Sequence, residues 1–491
     1  MRSAVRALSP LDAGFLYAES GRTPMHMGSI GIFEGAPLRD EHGALRIDAL
    51  RAEIESRLHL VPKLRRRVRF TTLGMAAPVW VDDPAFDIAN HVRTAALPSP
   101  GTEASLRDLC AGLMARPLQR DRPLWEIWAI DGLEGGRVAM MEKLHHSMAD
   151  GLAGVELVTV LFDLDRHPPR GESSPHPWNP TPPPRQRSII AHELGRQATA
   201  PLHLVGNGIG VLRHPVGVGR DVAHYVAALS SVVTPRSVAP SLSLNVPVGG
   251  GRQVAFVRQP LDDLHKLAGH FEVTINDLLL TAVSGGVRCL LSARGERIEG
   301  RTVQVLVPVG ADHHGDRQLG NRVSAMLVRL PIGSSDPVDR LRLVSRAEAT
   351  CKDHHQALAA ALLLELLEPL PQPALATLAR LVHRQPFFNL VVTNVPGPGV
   401  PLYVLGARML EAFPIVPIAG NLSVGVAALS YGEQLTIGLL ADPGACADLD
   451  VFADGIDRSF AELISVAGRQ RTNSSATTQK SQLSVNGGSM S

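Results

Sequence analysis

Two adjacent histidines followed by an acidic turn are the residues of this chain with the clearest potential for chemistry. His145 and His146 are followed, within five residues of His146, by Asp150 and Gly151. An imidazole titrates near neutral pH, so it can take a proton from an alcohol and return it to a leaving group. The aspartate and glycine fit a tight turn whose loop the carboxylate holds. A histidine in this pattern could therefore catalyse acyl transfer directly as a general base.

The same pattern is compatible with other kinds of site. Two histidines and a carboxylate could bind a metal ion, although no further ligand stands nearby and no HExxH sequence is present. They could also be loop histidines with a purely structural role. Ser147 could act as a nucleophile, but no G-x-S-x-G elbow surrounds it. A histidine base is the favoured interpretation, and the alternatives stay open at this point.

The segments on either side of the histidines indicate how they are positioned. Residues 136–141 predict a strand and residues 153–162 predict an apolar helix. The histidines then fall at the end of a strand, which is where α/β proteins expose reactive groups. Residues 122–130 predict an aromatic-rich strand that leads toward them. Its Trp125 and Trp128 are three residues apart and should lie on opposite faces.

Two further polar positions stand at predicted element ends. Thr274 is a predicted helix cap, and Asn276 and Asp277 occupy the first turn of its helix. A capping role and a role in the functional site are both compatible with that position. Asn394 ends a predicted strand and is followed by Val, Pro, Gly and Pro, which require only a turn.

Composition limits the class of protein. The chain has 491 residues, of which 45% are apolar and 19% charged, so it is long enough for two well-buried domains. Its formal net charge of +1 gives no overall signal for nucleic-acid binding. The cysteines are far apart and indicate neither a zinc site nor a disulfide framework: Cys110, Cys289, Cys351 and Cys446.

The sequence predicts no secretory signal and no membrane span. Residues 1–6 are not followed by an apolar signal core, and the longest apolar stretches are too short or too interrupted by proline and glycine. The basic run at residues 63–69 predicts a solvated strand edge, or else contact with anionic groups such as lipid headgroups or the phosphates of a substrate. We expect a cytoplasmic protein, and any contact with a membrane should be peripheral.

The order of composition along the chain predicts four segments. Residues 1–166 form an N-terminal lobe, and the proline-dense residues 167–187 form an extended crossover, because proline at this density excludes helix and sheet. Residues 188–468 form a C-terminal lobe, in which alternating strands and helices indicate an α/β fold. Residues 469–491 are rich in Ser, Thr, Gln and Gly and predict a disordered tail.

Several motifs together resemble one protein family. Residues 145–151 match the HHxxxDG signature of the CoA-dependent acyltransferase and peptide-synthetase condensation superfamily. Pro123, Leu124 and Trp125 resemble the PLW motif of bacterial wax ester synthase/diacylglycerol acyltransferases. Residues 276–277 resemble its ND motif and residues 394–398 its NVPGP segment, while residues 8–12 and 24–28 fit its opening.

The resemblance implies a fold and a site. The fold is two chloramphenicol-acetyltransferase-like lobes, each a mixed sheet with flanking helices, and a tunnel between them holds His146. His146 is then the general base, while His145 supports the loop and Asp150 and Gly151 shape it. Substrate contacts are implied for the PLW and ND residues and for one later asparagine: Pro123, Leu124, Trp125, Asn276, Asp277 and Asn394.

The activity that the resemblance implies is transfer of a long-chain acyl group from acyl-CoA to diacylglycerol. A long-chain alcohol would be a second acceptor and would give a wax ester. Acyl-CoA is a co-substrate, and we expect no cofactor, no metal and no nucleic-acid partner. The alternatives are a condensation-type acyltransferase with a carrier-protein donor, or a lipid-binding relative without turnover.

Overall fold

A computed structural model describes residues 7–148, 161–168, 178–191, 238–310, 323–353, 372–381 and 385–486. Within these ranges the strands are β1 (His26–Phe33), β2 (Arg66–Arg69), β3 (Val79–Asp82), β4 (Val92–Ala96), β5 (Trp125–Leu133), β6 (Arg137–His145), β7 (Gln253–Pro260), β8 (Thr302–Gly310), β9 (Val323–Pro331), β10 (Leu390–Pro396), β11 (Tyr403–Val404), β12 (Ala407–Ile415), β13 (Val424–Tyr431) and β14 (Gln434–Ala441). The helices are α1 (Pro10–Ala18), α2 (Ile47–Arg57), α3 (Glu103–Ala115), α4 (Leu261–Phe271), α5 (Ile275–Ala293), α6 (Pro337–Asp353), α7 (Gln372–Leu381) and α8 (Leu449–Asn486).

The strands form two six-stranded mixed sheets and one short hairpin. The first sheet has the order β11-β12-β1-β6-β5-β4, and only its β4–β5 pair is parallel. The second has the order β7-β14-β13-β10-β8-β9, with β10 parallel to both neighbours. β2 and β3 form the hairpin. The prediction of two lobes, each with a mixed sheet and flanking helices, is confirmed.

Strand β6 positions the histidines because it lies in the centre of the first sheet. It pairs with β1 on one side and β5 on the other, and its last residue, His145, faces His26 across the ladder. Side chains along a strand alternate between faces. Met140 and Leu144 accordingly pack in one apolar cluster, while Ala139 and Met141 pack in another on the opposite face.

Helix α5 is the core helix of the second lobe, and its residues 277–287 are all buried. It packs against both α6 and α8. Its crossing with α8 depends on two glycines, since a Cβ added to Gly455 would lie 2.9 Å from the Cα of Gly286. By length and composition α5 passes the test for a membrane span, and it is the one helix among the described residues that does; 72% of its apolar window is buried within the protein.

The predicted lobe boundary needs a correction. Strands β11 and β12 lie within residues 188–468 but join the first sheet, where Gly28 of β1 faces Ile415 of β12. Alternation in the sequence shows that a segment is a strand, but it does not show which sheet the strand enters. The C-terminal half therefore contributes an edge hairpin to the N-terminal lobe.

The crossover and the tail show two further features. Residues 178–185 form neither helix nor strand, and they lie along the β2–β3 hairpin, where Trp178 Nε1 donates to the carbonyl of Asp83 at 3.1 Å. Helix α8 continues to Asn486, so residues 469–486 are helical where composition predicted a disordered tail. These residues contain neither glycine nor proline to end the helix, and a Gly-Gly pair follows at 487–488.

Candidate active site

His146 continues the central ladder by one residue beyond β6. Its N–H donates to the carbonyl of Met25 at 2.8 Å, which keeps its side chain on the same face as Leu144. The ring stacks on Phe15, with 4.1 Å between ring centroids and an angle of 24° between planes. Burial of the half-buried imidazole lowers the pKa of His146 to about 4. His146 is therefore neutral at physiological pH and holds a free lone pair.

His145 points to the opposite face and is fully buried. Its Nδ1 accepts the backbone N–H of Ser147 at 3.1 Å and lies 2.8 Å from the Ser147 hydroxyl, so the ring proton resides on Nε2. That Nε2 is 3.5 Å from Oε1 of Glu19. The position fits a support role for His145. Ser147 is also completely buried, which argues against the nucleophile interpretation.

Glu19 is a site residue that sequence reasoning missed. It is the C-cap of α1, and its side chain is only 5% exposed. Oε1 accepts the N–H of Met25 at 3.2 Å and lies 3.4 Å from Nε2 of His26, while Oε2 accepts from Arg120 at 2.7 Å. Burial opposes its ionisation, but His145, His26 and Arg120 outweigh burial and hold the pKa of Glu19 well below its usual range.

The carboxylate of Glu19 therefore holds the end of α1, the start of β1 and the segment before β5 close to His145, at the start of the histidine loop (residues 145–148). No periodic pattern marks Glu19, because it stands where a helix ends and a turn begins. The turn itself is closed by a bridge between Ser20 and Thr23. The seven-residue interval from Glu19 to His26 around that turn is the one signal that could have indicated their contact.

The basic run at residues 63–69 is engaged within the protein. Lys63 Nζ donates to the carbonyls of Met148 at 2.7 Å and Ser147 at 3.3 Å, and it lies over the ring of Trp80. The arginines have acidic or carbonyl partners of their own: Arg66 with Asp82, Arg67 with Asp83 and the carbonyl of Asp121, and Arg69 with the carbonyl of Pro184. The run supports the histidine loop and the hairpin, and it is not the solvated or lipid-facing patch that was expected.

Pro123, Leu124 and Trp125 lie beneath the histidine loop as buried scaffold. The carbonyl of Leu124 accepts the N–H of His145 at 3.0 Å. The indole of Trp125 donates to the carbonyl of Leu64 at 2.8 Å and stacks on His91. Each of these side chains packs in the core, and their substrate contacts stay predictions.

The predicted site residues of the second lobe lie on α5 and β10, where Asn276 and Asn394 form a chain of polar contacts. Asp277 is 4% exposed and closes a capping box with Thr274, and its substrate contact stays a prediction. Asn276 is half-buried and donates to Glu348 Oε2 at 3.1 Å. Asn394, also half-buried, lies 3.4 Å from Asn276 Oδ1. Asn276 and Asn394 are thus brought together, and both retain accessible surface for a substrate.

Two predicted residues, Asp150 and Gly151, lie outside the described residues. Their roles in shaping the loop remain predictions. Among the residues that the structure describes, no group of three or more histidine, cysteine or acidic side chains is arranged to hold a metal ion.

Comparison with known families and proteins relates this arrangement to one group. The wax ester synthase/diacylglycerol acyltransferase catalytic domain matches residues 8–279, and the WS/DGAT C-terminal domain matches residues 319–464. The probable diacylglycerol O-acyltransferase tgs1 of Mycobacterium tuberculosis is 34% identical over 469 residues, covering 94% of this chain and 97% of that protein.

Solved structures show the same fold. A wax ester synthase/diacylglycerol acyltransferase from Marinobacter aquaeolei VT8 superposes with a TM-score of 0.65 at 24% identity, covering 94% of this chain and all of that one. The first condensation domain of the calcium-dependent antibiotic synthetase gives a TM-score of 0.57 at 16% identity, covering 94% and 97% of the two chains. The two-lobed acyltransferase architecture is shared with both.

Proposed function

Because the chain belongs to the wax ester synthase/diacylglycerol acyltransferase family, we propose that it transfers a long-chain acyl group from acyl-CoA to diacylglycerol. The product is triacylglycerol, and a long-chain alcohol is a second acceptor that gives a wax ester. The observation that carries the proposal is His146, a neutral imidazole that lies at the end of the central strand and retains accessible surface.

His146 acts as the general base in a direct transfer. Its free nitrogen accepts the proton of the acceptor hydroxyl while the hydroxyl oxygen attacks the thioester carbonyl. The tetrahedral intermediate collapses by breaking the carbon–sulfur bond, and the imidazolium returns the proton to the sulfur of coenzyme A. The balance is one ester and one free thiol, and no acyl-enzyme is required.

The surrounding residues hold the base in place. His145, fixed by Glu19, and Lys63, bonded to the carbonyls of Ser147 and Met148, restrain the loop on both sides of His146. Phe15 fixes the plane of the ring from α1. Such restraint matters because a general base must lie within hydrogen-bond reach of the proton that it removes.

An acceptor panel tests the proposed function. With palmitoyl-CoA as donor and diacylglycerol as acceptor, we expect free coenzyme A thiol and triacylglycerol to form at the same rate. With hexadecanol or monoacylglycerol as acceptor, we expect thiol and ester to form more slowly. A lipid-binding protein without turnover would retain lipid and release no thiol with any acceptor. A carrier-dependent condensation enzyme would be inactive with palmitoyl-CoA but active with an acylated carrier protein.

Peripheral contact with the inner membrane or a lipid inclusion is part of the proposal. The substrates are lipids, and the hairpin between β2 and β3 exposes two apolar side chains, Phe70 at 37% and Met75 at 49%. Apolar residues at such a tip bind a lipid surface by inserting at the headgroup boundary. Because the cations of residues 63–69 are paired, we expect this contact to depend on apolar burial more than on charge.

Co-sedimentation with phosphatidylcholine vesicles containing diacylglycerol measures this contact. The wild-type protein should sediment in part, resist release by high salt and be released by detergent. Phe70→Ser with Met75→Ser should abolish sedimentation, while Leu343→Ser, an exposed apolar position on α6, should not. Release of the wild-type protein by salt alone would contradict the apolar contact.

A further inference from the structure

Glu142 is an acidic side chain in the sheet centre that the acyl-transfer mechanism does not use. It lies on β6 and faces Ser29 of β1 directly across the ladder. The hydroxyl of Ser29 donates to Glu142 Oε2 at 2.9 Å. Glu142 and His146 are four residues apart along the strand and so rise from the same face.

The position of Glu142 is accessible although it is central. β6 has strand neighbours on both sides, yet Glu142 is half-buried, as are Ser29, Met27 and Pro414 beside it. Glu142 therefore keeps accessible surface on the face of the sheet from which His146 rises.

The carboxyl group is suited to act as a hydrogen-bond donor. Burial raises the pKa of Glu142 to about 7, against the hydrogen bond from Ser29, which lowers it. A substantial fraction of the group is therefore uncharged at neutral pH, and a protonated carboxyl donates one hydrogen bond. Ser29 occupies the second oxygen and fixes the orientation of the group.

We propose that Glu142, oriented by Ser29, is a specificity-determining residue that donates a hydrogen bond to an ester carbonyl of the diacylglycerol acceptor. The inference rests on the proposed function and names the part of the acceptor that the site recognises. Diacylglycerol carries ester carbonyls near its reacting hydroxyl, and these groups only accept hydrogen bonds. A long-chain alcohol carries no polar group besides the hydroxyl that reacts at His146.

The spacing fits an acceptor of this size. The Cα atoms of Glu142 and His146 are about 13 Å apart, from four residues of extended strand. Two hydrogen bonds of about 2.8 Å, together with the glycerol backbone and one ester linkage, fit within that distance. An alkyl chain in the same place would leave the protonated oxygen of Glu142 without an acceptor, although Ser29 would still bond the other oxygen, and an unpaired donor is unfavourable. Glu142 thus favours diacylglycerol over simple alcohols.

The test compares kcat/KM for diacylglycerol and for hexadecanol, with palmitoyl-CoA as donor. Glu142→Leu should lower kcat/KM for diacylglycerol by about tenfold, the effect of one lost hydrogen bond, and leave the value for hexadecanol unchanged or higher. Glu142→Gln, whose amide can donate to a carbonyl and accept from Ser29, should largely retain the preference. Ser29→Ala should reduce it in part, and Met140→Leu, on the same face of β6, is the matched control.

Each outcome decides the inference. An unchanged ratio between the acceptors in folded Glu142→Leu overturns it, and so does an equal loss with both, which indicates a structural role. If the wild-type protein releases no thiol with either acceptor, the proposed function fails and the inference fails with it. If the wild-type protein is active but the Glu142 variants keep its ratio of kcat/KM between the two acceptors, the inference fails and the proposed function stands.

Discussion

Replacing His146 by alanine is expected to lower kcat by about 10²- to 10⁴-fold, the usual contribution of a general base. The variant loses the one imidazole that rises from the accessible face of β6 and is kept neutral by burial. Its Tm should stay close to the wild-type value, since among the described residues the ring contributes a stack on Phe15 and no side-chain hydrogen bond. Stopped thiol-release assays and thermal unfolding measure the two quantities.

The controls separate a base from the other interpretations of the histidine pair. Acyl-CoA affinity should be unchanged in His146→Ala, because the base acts on the acceptor hydroxyl. Ser147→Ala should keep turnover within about tenfold, since a buried hydroxyl that contacts His145 is not a nucleophile. EDTA should have no effect. Near wild-type turnover in folded His146→Ala, or loss of activity in EDTA that zinc restores, would refute the base assignment.

Local patterns predicted the features of the site that depend on neighbouring residues. The strand before the histidines, the helix cap at Thr274 and the opposite faces of Trp125 and Trp128 follow from periodicity and capping chemistry. These features are set by backbone geometry within one element. They are readable from a single sequence for that reason.

Contacts between distant segments were not predictable in the same way. The pairing of β12 with β1 joins residues almost 400 positions apart, and alternation within β12 does not indicate its partner. The chain from Asn394 through Asn276 to Glu348 likewise joins three separate elements. The bond from the Trp125 indole to the carbonyl of Leu64, 61 positions away, is likewise one that no local pattern indicates.

Glu19 shows the energetic importance of such a contact. Its carboxylate receives the N–H of Met25 and the guanidinium of Arg120, and it faces His145 and His26. Without this carboxylate the buried N–H of Met25 has no acceptor, and leaving a buried donor unsatisfied typically costs about 1–3 kcal/mol. His145, which supports the catalytic loop, loses its neighbouring carboxylate as well.

Glu19→Ala should therefore lower the free energy of unfolding and the turnover together, with kcat reduced by about tenfold or more as His145 loses its anchor. Glu19→Gln should restore part of the stability, because an amide oxygen still accepts the Met25 N–H. Arg120→Gln, which removes a cation that is 40% exposed, is the milder control. Urea unfolding and thiol-release rates give both quantities.

The pH dependence of the Glu19 effect has a definite sign. The folded pKa of Glu19 is below its ordinary value of 4.5, so ionised Glu19 stabilises the folded state above that pH, and the stabilisation declines as pH falls below it. The difference in unfolding free energy between wild type and Glu19→Gln should accordingly be constant from pH 7 to about 5 and shrink toward pH 3. A difference that grows on acidification, or wild-type turnover in Glu19→Ala, would show that the carboxylate does not anchor His145.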